Sequence, residues 1–344
     1  MKKCPQKLIA GCVATLFCVI WSVGAGAAQQ PLELVHSTPL PEVTGGDFDH
    51  FAVDLAHHRL YSPSEVYGSL ELFDLATGRH LKSATGLVKS PHLLVFLPGH
   101  NELFVADAAD AACDVLDATD FHLLRRISLE PGPDAGVLDE RSRILYLGNG
   151  GRKANSDFSY VSLISTDSKE VVGRIRLESA TLKAMRINRK ANRLYVSMRD
   201  KNAIAVIDLG NRTVVDTWSP LGLTSNAALA IDEDRQRVFV GSRNPGMLFV
   251  LDARTGKLIT SSKTVETSDD ITYDPARRRL FVSGSDGVDV FAQDTPDSYR
   301  LVQHLDLPTG KTSVYVPSLK QFYVVQTKNE QVPVAQLKVF RVNN

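Results

Sequence analysis

Residues 193–208 have the sequence RLYVSMRDKNAIAVID. Two short apolar runs flank a polar segment, which is typical of two antiparallel strands joined by a turn. The aliphatic–aromatic pair at its start, Leu194-Tyr195, has counterparts at Leu60-Tyr61, Leu103-Phe104, Leu145-Tyr146, Val238-Phe239, Leu280-Phe281 and Phe322-Tyr323. Successive aromatic residues of these pairs are 43, 42, 49, 44, 42 and 42 positions apart. A fixed period of this length indicates an architecture of structural repeats.

Each repeat contains four short runs with the composition of β-strands, separated by turn residues. In the first repeat these runs are Phe51–Val53, Arg59–Tyr61, Leu70–Phe73 and His80–Lys82. No segment beyond residue 27 has a sustained helical period of apolar residues, so we expect an all-β protein. Because a single four-stranded unit cannot bury both of its faces, the repeats predict a seven-bladed β-propeller of four-stranded antiparallel blades.

The two ends of the chain predict how the ring closes. The seventh repeat supplies only three strand-like runs, Thr312–Val316, Gln321–Gln326 and Gln336–Val342. An unmatched run, Leu32–Ser37, precedes the first repeat, and we expect this N-terminal strand to complete the last blade and hide its sheet edge. The third repeat is longer because of a glycine-rich and polar insertion, Gly148–Asp157, which we predict to be a loop.

Residues 1–27 have the features of a Sec-type signal peptide. Three lysines flank the start of an apolar core, Leu8–Val23, and Ala25-Gly26-Ala27 supplies the small residues of a cleavage site. Ile9–Cys12 resembles a lipoprotein cleavage box, but so few apolar residues precede it that we do not expect lipidation. We therefore predict a periplasmic or secreted protein with one propeller domain, residues 28–344, and no transmembrane segment after cleavage.

The charge balance and the cysteine content limit the partners and the disulfides that can be expected. The chain has 39 basic and 39 acidic residues, and removing the three leader lysines leaves 36 against 39, a net charge of −3. This balance gives no reason to expect a nucleic-acid partner. Cys113 is the one cysteine outside the leader, so no intramolecular disulfide is expected, and we predict that it is a buried apolar residue. Nothing in the sequence indicates oligomers, and we expect a monomer.

The repeats resemble the YVTN-repeat family of extracytoplasmic seven-bladed propellers. The resemblance lies in Arg193–Ser197 followed by Ala205–Asp208, and it recurs in Arg237–Gly241 and Arg279–Ser283. The segment Phe48–Asp54 is similar to the start of the first blade in an exported branch of that family. The resemblance covers essentially the whole chain after the leader and implies the fold and export. It implies little about function, because its motif residues are core and turn residues.

One position per repeat, twelve residues before the aromatic marker, is mostly ionisable. The seven residues are Asp49, His92, Asp134, Lys183, Ala227, Asp269 and Lys311. The first strand of a propeller blade lines the axial channel, so we expect these side chains to surround one channel mouth. Neighbouring polar positions extend the set, and the predicted ligand-binding residues are Asp49, His50, His92, Asp134, Lys183, Asn226, Asp269, Asp270 and Lys311.

Three chemistries fit this ring. It can be a hydrated, mutually neutralising ring that binds a small ligand or a protein partner, which is our leading hypothesis for a non-catalytic scaffold. It can instead hold a divalent metal, with His50, His92, Asp134 and Asp269 as candidate ligands, as in a lactonase-like hydrolase. In the third alternative His92 acts as a general base while Lys183 or Lys311 stabilises an oxyanion. Apart from such a metal, no cofactor is assigned.

Arginine opens the second strand in five repeats, at Arg59, Arg143, Arg193, Arg237 and Arg279. These positions belong to the opposite mouth, where a basic face would bind a polyanion or an acidic surface. The simpler interpretation is that their long stems cover apolar strand starts while the charged heads stay in water.

Overall fold

The computed structural model describes residues 1–4 and 29–344. Residues 5–28, which include most of the predicted signal peptide, lie outside the described residues. Within the described part of the chain, β1 (Leu32–Pro39) is followed by 27 further strands, and all of them belong to seven four-stranded sheets. Every strand pair within these sheets is antiparallel, and the prediction of a seven-bladed β-propeller is confirmed.

The strands follow the blades in chain order. Blade 1 has β2 (Ala52–Asp54), β3 (Arg59–Ser64), β4 (Ser69–Asp74) and β5 (His80–Thr85), and blade 2 has β6 (Pro91–Leu97), β7 (Glu102–Asp107), β8 (Ala112–Asp117) and β9 (Leu123–Ser128). Blade 3 has β10 (Gly136–Asp139), β11 (Ile144–Gly150), β12 (Ser159–Ser165) and β13 (Glu170–Leu177), and blade 4 has β14 (Leu182–Asn188), β15 (Arg193–Met198), β16 (Ala203–Asp208) and β17 (Thr213–Trp218). Blade 5 has β18 (Asn226–Asp232), β19 (Arg237–Arg243), β20 (Gly246–Asp252) and β21 (Leu258–Lys263), and blade 6 has β22 (Asp270–Asp274), β23 (Arg279–Ser283), β24 (Gly287–Thr295) and β25 (Ser298–Asp306). Blade 7 has β26 (Thr312–Val316), β27 (Gln321–Gln326) and β28 (Gln336–Val342), and short 3-10 helices lie at Pro98–His100, Gly151–Ala154, Arg199–Lys201 and Pro317–Leu319.

The N-terminal strand closes the ring as predicted. Strand β1 pairs with β28 from Leu32 opposite Val342 to Pro39 opposite Gln336, which gives blade 7 the strand order β1-β28-β27-β26. The amide of Gln303 in blade 6 holds the start of β1, since it donates to the Leu32 carbonyl at 2.9 Å and accepts from the Leu32 amide at 2.7 Å. Strand β1 thus covers the edge of β28 and becomes the outer strand of blade 7.

The aliphatic–aromatic pairs form the core because both faces of each blade are covered. Successive side chains of a strand point to opposite faces. Leu194 accordingly packs in the cluster between blades 3 and 4, while Tyr195 packs in the cluster between blades 4 and 5. The same division holds for all seven pairs, and the described residues form one apolar cluster at each of the seven blade interfaces.

Tyrosine markers add a polar link between blades. The hydroxyl of Tyr61 donates to the Ala118 carbonyl at 3.0 Å, and that of Tyr195 donates to the Ala253 carbonyl at 2.6 Å. Tyr323 makes the equivalent bond to Leu75 across the closing interface between blades 7 and 1. Each acceptor lies in a hairpin turn of the next blade, so the hydroxyl fixes one blade against its neighbour.

The insertion in the third repeat differs from the prediction. Gly148 belongs to β11, and residues 151–154 form a 3-10 helix, so only residues 155–157 of the predicted loop lie outside strands and helices. A Cβ atom on Gly148 would lie 2.9 Å from the Met185 Cε atom. Gly148 therefore lies in a strand and permits close packing of blades 3 and 4, whereas the sequence pattern predicted a loop.

Cys113 is buried in the cluster between blades 2 and 3, as predicted. Burial raises the pKa of its thiol above the ordinary value.

Candidate functional site

The first strands of the blades surround the axis of the ring. Strands of adjacent blades contact each other here, as β14 does with β18 and β18 with β22. Residues at or just before the starts of these strands therefore meet at one opening, which we call the channel mouth.

Asp49 is the centre of a buried chain of charged groups at the channel mouth. Its Oδ2 atom lies 2.7 Å from His92 Nδ1, and its Oδ1 atom lies 3.3 Å from His50 Nε2. The other ring nitrogen of His50 is 3.1 Å from Asp270 Oδ1, and the Ser313 amide donates to Asp270 Oδ2 at 3.0 Å. Two histidines and two carboxylates thus alternate across the mouth.

Asp134 and Lys183 extend this chain into blades 3 and 4. Lys183 Nζ lies 2.5 Å from Asp134 Oδ2, and His92 Nδ1 lies 3.7 Å from Asp134 Oδ1. The Oδ1 atom is buried, and no described residue is within hydrogen-bonding distance and geometry of it. A buried carboxylate oxygen without a partner is costly unless another molecule donates to it.

A second ion-pair chain covers the opposite side of the mouth. Lys311 Nζ lies 2.9 Å from Asp47 Oδ2 and 3.6 Å from Asp269 Oδ2, and Arg243 forms an ion pair with Asp269. Arg243 comes from the end of β19 and supplies the charge that Ala227 lacks in blade 5. With it, every blade contributes a charged side chain to the mouth.

The pKa shifts describe a network of permanent charges. Burial alone would raise the pKa of Asp49, but the charge of His50 and the hydrogen bond from His92 hold it well below its usual range. Burial opposes protonation of His50, yet Asp270 and Asp49 raise its pKa to about 10. In the same way, the pKa of His92 is raised against the effect of burial, mainly by Asp49. His50 is therefore a cation at neutral pH, and the neighbouring carboxylates shift His92 towards its protonated form.

Charged neighbours also outweigh burial in setting the pKa values of Lys183, Lys311 and Asp269. Burial disfavours the ammonium forms of Lys183 and Lys311, but Asp134 and Asp269 respectively raise the pKa of each. Burial would raise the pKa of Asp269, and Arg243 and Lys311 lower it. Fixed cations thus compensate the carboxylates from within the protein.

The sequence analysis missed Asp47 and three further charged residues of the mouth. Glu65, Arg199 and Arg243 lie four residues after their aromatic markers, at the end of the second strand or just beyond it. The second strand runs antiparallel to the first, so its end returns to the mouth where the first begins. Counting downstream as well as upstream from each marker would have found them. Glu65 Oε1 is 3.5 Å from His92 Nε2, and burial raises the pKa of Glu65 although His92 opposes this.

Asn226 stands apart from the charged chains. Its side-chain amide donates to the Ala203 carbonyl of blade 4 at 2.9 Å, and its Oδ1 atom is buried without a partner among the described residues. Its bonding ties blade 5 to blade 4.

The geometry bears on the metal hypothesis in two ways. Ligand atoms of Asp49, His92 and Asp134 lie within 4.8 Å of one another, whereas His50 pairs with Asp270 and lies outside this group. The ammonium of Lys183 already neutralises Asp134, and His92 Nδ1 is engaged with Asp49. A divalent ion held by these three ligands would stand beside the Lys183 ammonium, whose charge repels it, so these residues do not fit a metal well.

A cavity of about 190 Å³ lies beneath the ring in the channel, lined by His50, Asp270, Arg186 and apolar residues of the first strands. Arg186 donates to the Met185 carbonyl at 2.8 Å. Burial lowers the pKa of its guanidinium although Asp270 opposes this.

The arginines of the opposite mouth are engaged with the protein itself. Arg143 pairs with Asp167, Arg193 with Asp208, and Arg237 with Asp297. Arg59 and Arg279 donate to backbone carbonyls. Since their heads are bound, these five arginines do not form a free basic face.

Among the described residues, no helix has the length and apolar composition that a membrane span requires. No protein-family model matches the chain.

Curated relatives and solved structures share the architecture. The uncharacterized protein YncE of Salmonella typhi and that of Salmonella typhimurium are each 22% identical over 312 residues, covering 82% of this chain and 85% of the relative. YncE of Escherichia coli K12 is 23% identical over 269 residues, covering 70% and 73%. A chain of Kuenenia stuttgartiensis hydrazine synthase matches with a TM-score of 0.72 and 14% identity, covering 88% of this chain and 97% of that one. At such identity the structural likeness shows the fold alone. The protein is a seven-bladed β-propeller with YncE-like relatives at low identity.

Proposed function

We propose that this protein is an exported propeller of the YVTN-repeat type that binds a small polar ligand at the channel mouth. The observation that carries the proposal is the buried Asp134 Oδ1 atom, which has no donor among the described residues. An amine or hydroxyl group of a ligand would satisfy it. The leader-like residues 1–27 support a periplasmic or secreted location.

The surroundings of Asp134 support binding in place of catalysis. His92 Nδ1 is engaged with Asp49, which favours the protonated ring and so opposes a role as general base. Lys183 is charged and bound to Asp134. A network of fixed ion pairs is pre-organised to orient a ligand, because its side chains need not be ordered on binding.

A second unpartnered atom favours a ligand with both donors and acceptors. The Nε atom of Arg243 is buried at the same mouth and has no acceptor among the described residues. A molecule with a hydroxyl or amine near a carbonyl or acidic oxygen matches both needs. Sugars, polyols, amino acids and their phosphate esters have this chemistry.

A thermal-shift survey of these compound classes tests the proposal. We expect at least one class to raise the Tm of the wild-type protein and to leave the Tm of Asp134→Ala unchanged. Asp167→Ala is the matched control, because it removes a carboxylate that pairs with Arg143 at the opposite mouth. Compounds that stabilise Asp134→Ala as strongly as the wild type, or a survey with no stabilising compound, would refute the proposed site.

A further inference from the structure

The insertion of blade 3 builds one wall of a groove beside the channel mouth. Its 3-10 helix carries Arg152 and Lys153, and the groove of about 210 Å³ also reaches Asp134, Lys183 and Arg199. The period of 49 residues, longer than the others, comes from this segment. The groove therefore lies where the repeats differ in sequence, and Asp134 belongs both to the groove and to the charged ring of the mouth.

The wall is fixed in place by close packing. The Arg152 amide donates to the Ala180 carbonyl at 2.9 Å, which ties the insertion to the connection into blade 4. Gly151 has a φ of +63°, and a Cβ atom there would lie 2.3 Å from the Ala180 oxygen. Only glycine suits both conditions, so the backbone that carries Arg152 is held rigidly against its neighbour.

Three cations of this groove have no anionic partner within ion-pair distance among the described residues. No carboxylate of the described residues lies within 4.0 Å of the charged groups of Arg152, Lys153 or Arg199. Arg199 donates from Nε to the Ser225 hydroxyl at 3.1 Å, which leaves the rest of its guanidinium free. Burial, and then the charge of Arg243, lower the pKa of Arg199, although the more distant Asp269 and Asp134 oppose this.

Asp200, which follows Arg199 in the chain, is bound to other groups. The carboxylate of Asp200 accepts from the Ser179 hydroxyl at 2.5 Å and from the amides of Ala180 and Thr181 at 3.1 and 3.0 Å. It shapes the connection between blades 3 and 4 and forms no ion pair with Arg199. A second groove of about 360 Å³ continues past Arg152 and Arg199 towards Asn202, so the cations border a path long enough for more than one chemical group.

We propose that this groove binds the phosphate group of a small phosphomonoester whose hydroxyl or amine reaches Asp134. Three uncompensated cations match a dianion better than a singly charged carboxylate. Arginine guanidinium groups bind phosphate oxygens in pairs, with charge-assisted hydrogen bonds. This inference rests on the proposed function and specifies the ligand class of the same mouth.

Isothermal titration calorimetry with inorganic phosphate, glycerol 3-phosphate and acetate, at constant ionic strength, tests the inference. We expect phosphate to bind, glycerol 3-phosphate to bind more tightly because its hydroxyls reach Asp134, and acetate to give no measurable heat. Arg152→Gln and Arg199→Gln should each weaken phosphate binding by about 10-fold or more, the loss expected for one charge-assisted contact. Arg254→Gln, an exposed arginine on a blade 5 turn, should bind like the wild type.

The outcomes separate this inference from the proposed function. Equal binding of acetate and phosphate, no binding of phosphate, or unchanged affinity in the two variants overturns the groove assignment. If Arg199→Gln fails to fold, Arg152→Gln, whose side chain is exposed, decides alone. If phosphate does not bind but a non-phosphorylated compound binds in a manner that depends on Asp134, the proposed function stands and the phosphate site is refuted. Tighter binding of inorganic phosphate than of glycerol 3-phosphate identifies a free-anion site and contradicts the phosphomonoester.

Discussion

Replacing His50 with glutamine tests whether the mouth is a network of permanent charges. His50 lies between Asp49 and Asp270, with ring nitrogens 3.3 and 3.1 Å from their oxygens, and its side chain is 22% exposed. Glutamine keeps hydrogen-bonding capacity but removes the positive charge. The variant leaves two buried carboxylates without the cation that separates them.

The pKa of His50 sets the loss in the free energy of unfolding that we expect for His50→Gln. Folding raises this pKa from 6.5 to about 10, and at about 1.4 kcal/mol for each factor of ten in proton affinity the upper limit is about 5 kcal/mol. A raised pKa stabilises the folded state fully below pH 6.5, and this stabilisation is lost as the pH rises through 10. Because water still reaches the side chain, we expect a loss of about 2–4 kcal/mol in the free energy of unfolding at pH 7.

Urea unfolding at pH 7, 8.5 and 10 measures the effect, with the fluorescence of the buried Trp218 as the signal. The difference between wild type and His50→Gln should shrink to below about 1 kcal/mol at pH 10, where about half of the folded wild-type molecules have lost the His50 charge. His57→Gln is the matched control, since His57 also contacts a carboxylate, Asp54, at 2.8 Å but is 53% exposed. It should cost less than about 1 kcal/mol at every pH. A difference for His50→Gln that is constant or grows between pH 7 and 10 would refute the argument.

Three further predictions concern the blade links, the metal hypothesis and ring closure. Tyr195→Phe should lower the free energy of unfolding by about 1 kcal/mol in urea titrations, because the Ala253 carbonyl loses its donor. Elemental analysis of the purified protein should find less than stoichiometric metal, and EDTA should leave its Tm unchanged, because Lys183 already neutralises Asp134. Deleting residues 29–39 should produce aggregates on size-exclusion chromatography, because β28 then exposes an unpaired edge.

Each of these three predictions has a control variant or an outcome that would contradict it. Tyr146→Phe should change stability little, because no hydrogen bond of the Tyr146 hydroxyl is found among the described residues. An equal loss in the two tyrosine variants would contradict the proposed blade link. Stoichiometric zinc or manganese, with a Tm that falls in EDTA, would revive the metal-dependent hydrolase. A monomeric, cooperatively unfolding deletion variant would show that β1 is dispensable for closure.

The fold could be predicted from the sequence because its determinants are local and repeated. A pair such as Leu194-Tyr195 packs on two different interfaces only if both faces of the blade are buried, and seven repeats of that pattern leave a closed ring as the solution. The unmatched run Leu32–Ser37 predicted the closing strand for the same reason. In the structure this strand ends two residues later than predicted, at Pro39.

The candidate site was only partly predictable. Counting upstream from each marker found most of the carboxylates, histidines and lysines of the mouth, but not which of them bind each other. His50 pairs with Asp270 of blade 6, across the mouth, and sequence spacing does not encode that contact. Arg243 was missed because only the starts of the first and second strands were compared, and it lies at the end of a second strand. Arg152 was missed because its segment was predicted to be a loop, although contacts with blade 4 fold it into a 3-10 helix.

A crystal structure of the protein with the most strongly stabilising compound of the thermal-shift survey tests the central claim most directly. We predict electron density for that compound at the channel mouth, with a donor group within about 3 Å of Asp134 Oδ1. If it is a phosphomonoester, its phosphate should lie between Arg152 and Arg199. A compound bound at the opposite mouth or between outer strands, with only water beside Asp134, would contradict the assignment of the mouth as the binding site.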